Sequence, residues 1–283
     1  MPFPLAHPAA VLALRRFCPA RLSLSALMIG SLAPDASYFL WRFKVPEFAH
    51  TFLGSLGFCL PAGMLMFLVF HVVRGPLVNA LPAPHREALQ PLSRLPHGPP
   101  LALLLSLMIG TWTHLALDAA TRESQVVVAH LPVFQEELVA MKKQGFQPYR
   151  LLWYALTAGG LGWLGAAYRR FLRKSTGSRC WFASWDLRRY GLWALLLLMP
   201  GLLALPFALR YAEGWPRVYA VRQFFYVWSA YCVVGAGTAL MLVGFVLRAR
   251  QEIRRRRKAI PSRSRAHTTG PYPPGGGHPH AGP

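Results

Sequence analysis

Residues 223 to 247, QFFYVWSAYCVVGAGTALMLVGFVL, run for 25 positions without a charged side chain. A helix needs about 20 apolar residues to cross the roughly 30 Å of hydrocarbon in a bilayer, so this run makes lipid the expected solvent. Five further windows have similar character: 22–41, 52–73, 101–120, 149–168 and 190–212. The first is interrupted by Pro34 and Asp35. Charged residues make up only 14% of the chain, against about a quarter in soluble proteins. The expected fold is an all-α polytopic membrane helix bundle of about six spans. A short re-entrant or interfacial N-terminal helix precedes them, starting at Pro8, where proline suits the first helical turn. Residues 1–250 are expected to form the helical membrane domain. Residues 251–283, basic and then rich in Pro, Gly and His, cannot bury enough surface to order themselves and are expected to be a disordered tail.

Charge sets the orientation. Lys and Arg total 31 against 10 Asp and Glu, a formal charge of +21. In a soluble chain that excess would point to nucleic acid. Here the basic residues cluster between apolar runs, as RRFLRK, WDLRR and RARQEIRRRRK, the pattern of loops facing the cytoplasm. The expected partners are therefore membrane lipids and not nucleic acid, and the RRRRK cluster suits anionic headgroups. Both termini are expected in the cytoplasm, with the 121–148 loop outside. The N-terminus places its apolar stretch before Arg15 and Arg16, the reverse of a cleavable signal. Cys18, Cys59, Cys180 and Cys232 show no CxxC spacing and read as small buried hydrophobes rather than a zinc knuckle or disulfide framework.

Against this background the stretch GTWTHLALDAATR, residues 110–122, stands out. His114 and Asp118 lie four residues apart on one helix face, with Arg122 a further turn along. His50 opens the second span from the same outer side, and Asp35 lies in the outer part of the first. His7 reaches a similar height if the N-terminal helix and first span form a hairpin about CPAR. Tyr154 is one turn into the fourth span. Ionisable residues within spans cost about 2.5–3.5 kcal/mol each, so their delivery to one depth needs a reason. His7, His50, His114, Asp35 and Asp118 are of the ligand types that bind Zn, Mn or non-haem Fe. One divalent metal held by them would suit hydrolysis, with Asp35 or Asp118 left as general base or as the partner that orients a His. Two other readings stay open: a non-enzymatic module in which Arg122 binds an anionic lipid or small anion, and plain polar glue between helices. His71, in FLVFHVVR, is expected to cap a helix end or face headgroups, with no partner at the inner face. Gly159, Gly160, Gly162, Gly165, Gly235 and Gly237 are expected at close helix contacts.

The segments MPFPLAHPAAVLALRR, LSLSALMIGSLAPDASYFL, FAHTFLGSLGFCLPAGMLMFLVFHVVRGPL and LSLMIGTWTHLALDAATR together resemble a bacterial membrane-protein family, domain of unknown function 4184, over about residues 1–170. The shared signature is an HPA start, a GS-x-x-PD turn, an HT opening the second span and an H-x-x-x-D near the end of the third. The family's His and Asp pattern is distantly similar to that of membrane-bound metal-dependent hydrolases. The resemblance implies a bacterial inner-membrane protein, with His7, Asp35, His50, His114 and Asp118 as metal ligands and a lipid-linked or phosphoester substrate at the outer face. This chain departs from the pattern at Thr121-Arg122, where the family usually reads TH, and at Trp153-Tyr154, near which it often carries a His.

Overall fold

The computed structural model describes residues 3–17, 22–37, 45–121, 148–177 and 186–259. Among them there is no strand. After a 3-10 turn at Pro4–Ala6 the helices are α1 His7–Leu14, α2 Leu24–Gly30, α3 Val45–Ala49, α4 Phe52–Ala80, α5 His85–Ser93, α6 Pro100–Thr121, α7 Pro148–Thr176, α8 Leu187–Glu213 and α9 Arg217–Ala259.

Four of these, α4, α6, α8 and the Tyr219–Arg257 portion of α9, are long and apolar enough to cross a membrane. Leu192, Leu195, Leu198, Leu202 and Phe207 of α8 all face outward. No other described segment covers them, and lipid is the solvent that suits such a surface. The four helices fit a membrane protein. The fourth window forms α7, which at 29 residues is long enough to span but is diluted by Gly, Tyr and Trp. The first window does not form a through-going helix. α2 stops at Gly30, Ser31–Ala33 turn, and residues 34–37 form a single 3-10 turn. Pro34 has no N–H to continue the ladder. The Gly30 carbonyl instead accepts from Ala33 N at 3.1 Å and from Thr111 Oγ1 at 3.1 Å.

α6 is the most enclosed of the four apolar helices and packs against α1, α2, α4 and α7. Leu103 and Leu107 of α6 meet Ala26 of α2 and Phe67 of α4 in one apolar cluster, while Val11, Leu22 and Leu27 form a second beside it. α8 and α9 pack on one another, and α9 also lies against α4. The start of α8 is tied to the α4–α5 turn: Ala83 N donates to Asp186 Oδ2 at 2.8 Å and Trp193 Nε1 to Ala80 O at 3.1 Å. α9 runs unbroken to Ala259, so the basic run after Arg248 is helical as far as the structure is described; residues 260–283, including His278 and His280, lie outside it.

The glycines divide unevenly. Gly235 sits against Pro200, and Gly160 against Ala6. Gly159, Gly162, Gly165 and Gly237 face open space, so they are not contact points as expected. Closer backbone approaches are elsewhere: Gly54 of α4 lies against the Phe48 carbonyl, and α2 and α6 nearly touch. A Cβ on Gly30 would lie 2.2 Å from Leu107 O, and one on Gly110 would lie 2.1 Å from Leu27 O.

Candidate metal centre

The approach at Gly30 and Gly110 determines where His114 points. With the two backbones nearly touching, His114 Nδ1 reaches the Ser31 carbonyl at 2.8 Å. A carbonyl only accepts, so Nδ1 carries the hydrogen and the neutral ring presents a bare lone pair at Nε2. That Nε2 is buried and has no hydrogen-bond partner among the described residues. His50 follows the same logic on another element. It sits between α3 and α4 and donates from Nδ1 to Pro46 O at 2.7 Å, which turns Nε2 towards the two carboxylates. Carbonyl-anchored imidazoles of this kind recur in metal sites, where the anchor fixes tautomer and ring plane.

The two carboxylates complete the arrangement. Asp118 is one turn beyond His114. Its Oδ2 lies 3.6 Å from His114 Nε2 and 3.5 Å from His50 Nε2, and its Oδ1 lies 3.8 Å from His7 Nε2. Asp35, carried by the 3-10 turn that Pro34 imposes, places Oδ1 3.8 Å from His114 Nε2 and 3.9 Å from His50 Nε2. The His7 ring stacks on His114 at 3.8 Å between centroids. All five residues are buried, Asp35 the least completely, at 9%.

These residues form two groups able to hold a metal ion, His7–Asp35–His114 and His50–His114–Asp118, each with ligand atoms within 4.8 Å of one another. Both use His114. Its Nδ1 is committed to Ser31, so both must use Nε2, and one imidazole lone pair serves one ion. The geometry therefore describes a single centre rather than two. Ligands about 2.0–2.2 Å from one ion lie roughly 3.3–3.6 Å apart in a tetrahedral shell. The observed 3.5–3.9 Å is that spacing relaxed by a few tenths of an ångström. With neutral imidazoles the five side chains carry two negative charges, the complement of a divalent cation.

Local structure holds His50 in place. Thr51 caps α4 by accepting from Gly54 N at 2.9 Å. The helix then widens into a π-turn at Ser55–Cys59, just before Pro61, whose ring would crowd a regular α-turn. Trp112 of α6 donates to Ser55 Oγ at 3.2 Å, tying that turn to the helix that carries His114. Thr51→Ala should remove a cap worth about 1 kcal/mol. We expect a melting temperature lower by a few degrees and weaker metal retention at unchanged stoichiometry, measured by thermal unfolding in detergent and competition with a chelator.

HPA, GSLAPD, HT and HLALD thus bring His7, Asp35, His50, His114 and Asp118 together in the fold. The family model for Domain of unknown function (DUF4184) matches residues 1–249. The chain belongs to the DUF4184 family. The match continues well past residue 170, so α8 and most of α9 belong to the DUF4184 domain as well. No curated protein and no solved structure matches the chain.

Other expected positions fall elsewhere. Arg122 lies outside the described residues. Tyr154 is half exposed, edge-on to Trp153 at 4.6 Å, and is not part of the cluster. His71 has a neighbour that the loop sequence did not announce: its ring lies 3.9 Å from that of His97, and 4.2 Å from Phe67. The carbonyls of Ser31 and Pro46 were also hidden from a reading of side chains. The signal for Ser31 was its place beside Gly30, since a glycine before a Pro-Asp turn marks close backbone approach.

Proposed function

We propose that this DUF4184 protein is a membrane-embedded, metal-dependent hydrolase acting on an ester at the face of the membrane away from the cytoplasm. One observation carries the reading: two His/Asp triads from separate elements share the single available nitrogen of His114. The imidazole nitrogens and carboxylate oxygens of the cluster stand 3.5–3.9 Å apart, close to the spacing of co-ligands about one ion.

His7, His50, His114 and Asp118 would hold the ion. When bound, a divalent metal makes water nucleophilic near neutral pH and polarises a carbonyl or phosphoryl oxygen. Asp35, the most accessible of the five, would take a proton from the attacking water. The hydroxyl adds to the carbonyl carbon or phosphorus, the ester bond breaks, and the proton goes to the departing oxygen. The orientation follows from charge. α7 ends in Arg173 and Lys174, and α9 ends in the basic run, whereas the His/Asp cluster lies at the start of α4 and the end of α6. Under the positive-inside rule those basic ends are cytoplasmic, so the cluster faces outward. The substrate class favoured is a lipid-linked ester or phosphoester, because the cluster is buried among helices whose outer surfaces suit lipid.

Asp35→Asn separates the base from the ligands. The variant is expected to keep most of its bound metal, by elemental analysis of detergent-purified protein. Its turnover of bis(p-nitrophenyl) phosphate and p-nitrophenyl octanoate should fall at least ~100-fold, the scale of general-base catalysis. Unchanged turnover in this variant would remove Asp35 from the mechanism. A wild-type protein that hydrolyses neither ester while carrying metal would turn the reading towards a binding site.

A further inference from the structure

Outside the His/Asp cluster, His71 of α4 is the only described residue with buried side-chain nitrogens that have no hydrogen-bond partner. Buried polar groups are nearly always satisfied, and an exception points to a water, ion or ligand that belongs there. The surroundings of His71 narrow the choice. Its ring rests on Phe67 at 4.2 Å between centroids, and Phe67 is fixed in the apolar cluster with Leu107 and Ala26. His97, exposed on the segment before α6, stacks over the ring at 3.9 Å. Arg74 lies one turn further along the same face of α4 and donates from Nη2 to the Leu95 carbonyl, two residues before His97. Among the described residues no carboxylate pairs with His71, Arg74 or His97.

We propose that His71, Arg74 and His97 form a phosphate-binding site at the cytoplasmic end of α4, an inference that rests on the orientation given above and not on the metal centre. Charge decides against a cation. A metal ion on the two imidazoles would sit beside a guanidinium, with no carboxylate to offset either charge. The same set suits an anion. Arg presents a planar fork of N–H donors that matches phosphate oxygens; a neutral imidazole adds one N–H, and a protonated one adds two. A water on His71 would still leave the guanidinium without a counter-charge at the end of a span, where ionisable groups usually have one. Depth points to the phosphate layer. His71 lies roughly 20 residues beyond Phe52, about 30 Å at 1.5 Å per residue, which is the thickness of the hydrocarbon. With the start of α4 at the outer face, the three basic groups stand level with the phosphates of the inner leaflet, within reach of a soluble phosphate from the cytoplasm as well. His97 is the exposed member of the set, so entry displaces its ring while Phe67 keeps His71 in place.

Two titrations of the detergent-purified protein test the site and its source of phosphate: dioctanoyl phosphatidylglycerol followed by native mass spectrometry, and inorganic phosphate followed by calorimetry. Each is run on wild type, Arg74→Gln and His97→Ala. The wild type is expected to bind at least one of the two probes about tenfold or more tightly than either variant, the scale of one lost charge-assisted hydrogen bond. A variant-sensitive affinity for the lipid alone assigns a headgroup, and one for inorganic phosphate assigns the soluble anion. Metal content by elemental analysis should be the same in all three proteins, so a failure of the His/Asp centre is read separately from a failure of this site. Equal binding by wild type and both variants would place the probes on other basic surfaces, such as the run after Arg248, and overturn the proposal. Absence of binding by both probes would overturn it too. Arg74 also holds the Leu95 carbonyl, so His97→Ala, which removes only an exposed ring, is read alone where Arg74→Gln does not fold. If neither variant folds, the three side chains are a packing element and the proposal falls.

Discussion

Asp118→Ala is expected to yield a protein that purifies without stoichiometric metal, whereas the wild type should carry about one divalent ion per chain. The magnitude follows from position. Asp118 is the only one of the five residues whose oxygens face all three imidazoles, at 3.8 Å from His7, 3.5 Å from His50 and 3.6 Å from His114. Removing an outer partner of a metal ligand costs about 10- to 100-fold in affinity; removing a carboxylate that faces every other ligand should cost more, at least ~1000-fold. It also halves the negative charge that offsets the cation in a buried site, where charge is costly to leave uncompensated. His114→Ala should have the same outcome, because both triads lose their shared nitrogen. Elemental analysis of the variants and wild type, purified side by side, reads the result. Wild-type protein that stays folded with no metal after incubation with zinc, manganese or iron would reject the centre. Equal metal in wild type and both variants would place the ion elsewhere.

The sequence carried the helical bundle and pointed to the five residues that cluster in it, because both follow largely from local rules. Apolar runs of span length need lipid, and His114 and Asp118 share a face through the 3.6-residue period alone. His7 and Asp35 could be brought to one height by counting residues back from a turn. The crossing of α2 and α6 was less legible. Gly30 and Gly110 lie in different segments, and nothing in either one says that its Cβ would strike the other helix. The shortness of α2 also depends on a tertiary fact. Pro34 in an apolar window is compatible with a kinked span, and the chain takes a turn because Thr111 and Ala33 satisfy the Gly30 carbonyl. Partnerships through backbone atoms, such as His114 with Ser31 and His50 with Pro46, leave no trace in residue type. The pairing of His71 with His97 is hidden for a related reason: α4 and the segment before α6 meet only in the folded bundle.

Gly110→Ala adds one methyl group and is expected to damage the protein severely. The added methyl would sit 2.1 Å from Leu27 O and 2.8 Å from Ser31 N, both backbone atoms that cannot rotate aside. α2 and α6 would have to separate by more than an ångström. Overpacking of a fitted contact costs about 1–3 kcal/mol by itself. Here the separation also stretches the Thr111 bond to Gly30 O, now 3.1 Å, and the His114 bond to Ser31 O, now 2.8 Å. A total of ~4 kcal/mol is expected, with loss of metal in whatever fraction remains folded, since His114 loses its anchor. Gly162→Ala provides the contrast. A methyl there meets nothing within 4 Å, and alanine is favoured over glycine in a helix by about 1 kcal/mol, so that variant should melt at or slightly above the wild-type temperature and keep its metal. The two variants make the same chemical change, one methyl added to a helical glycine. If thermal unfolding in detergent found them equally stable, the α2–α6 contact would not be what holds His114 in line with Asp35 and His50.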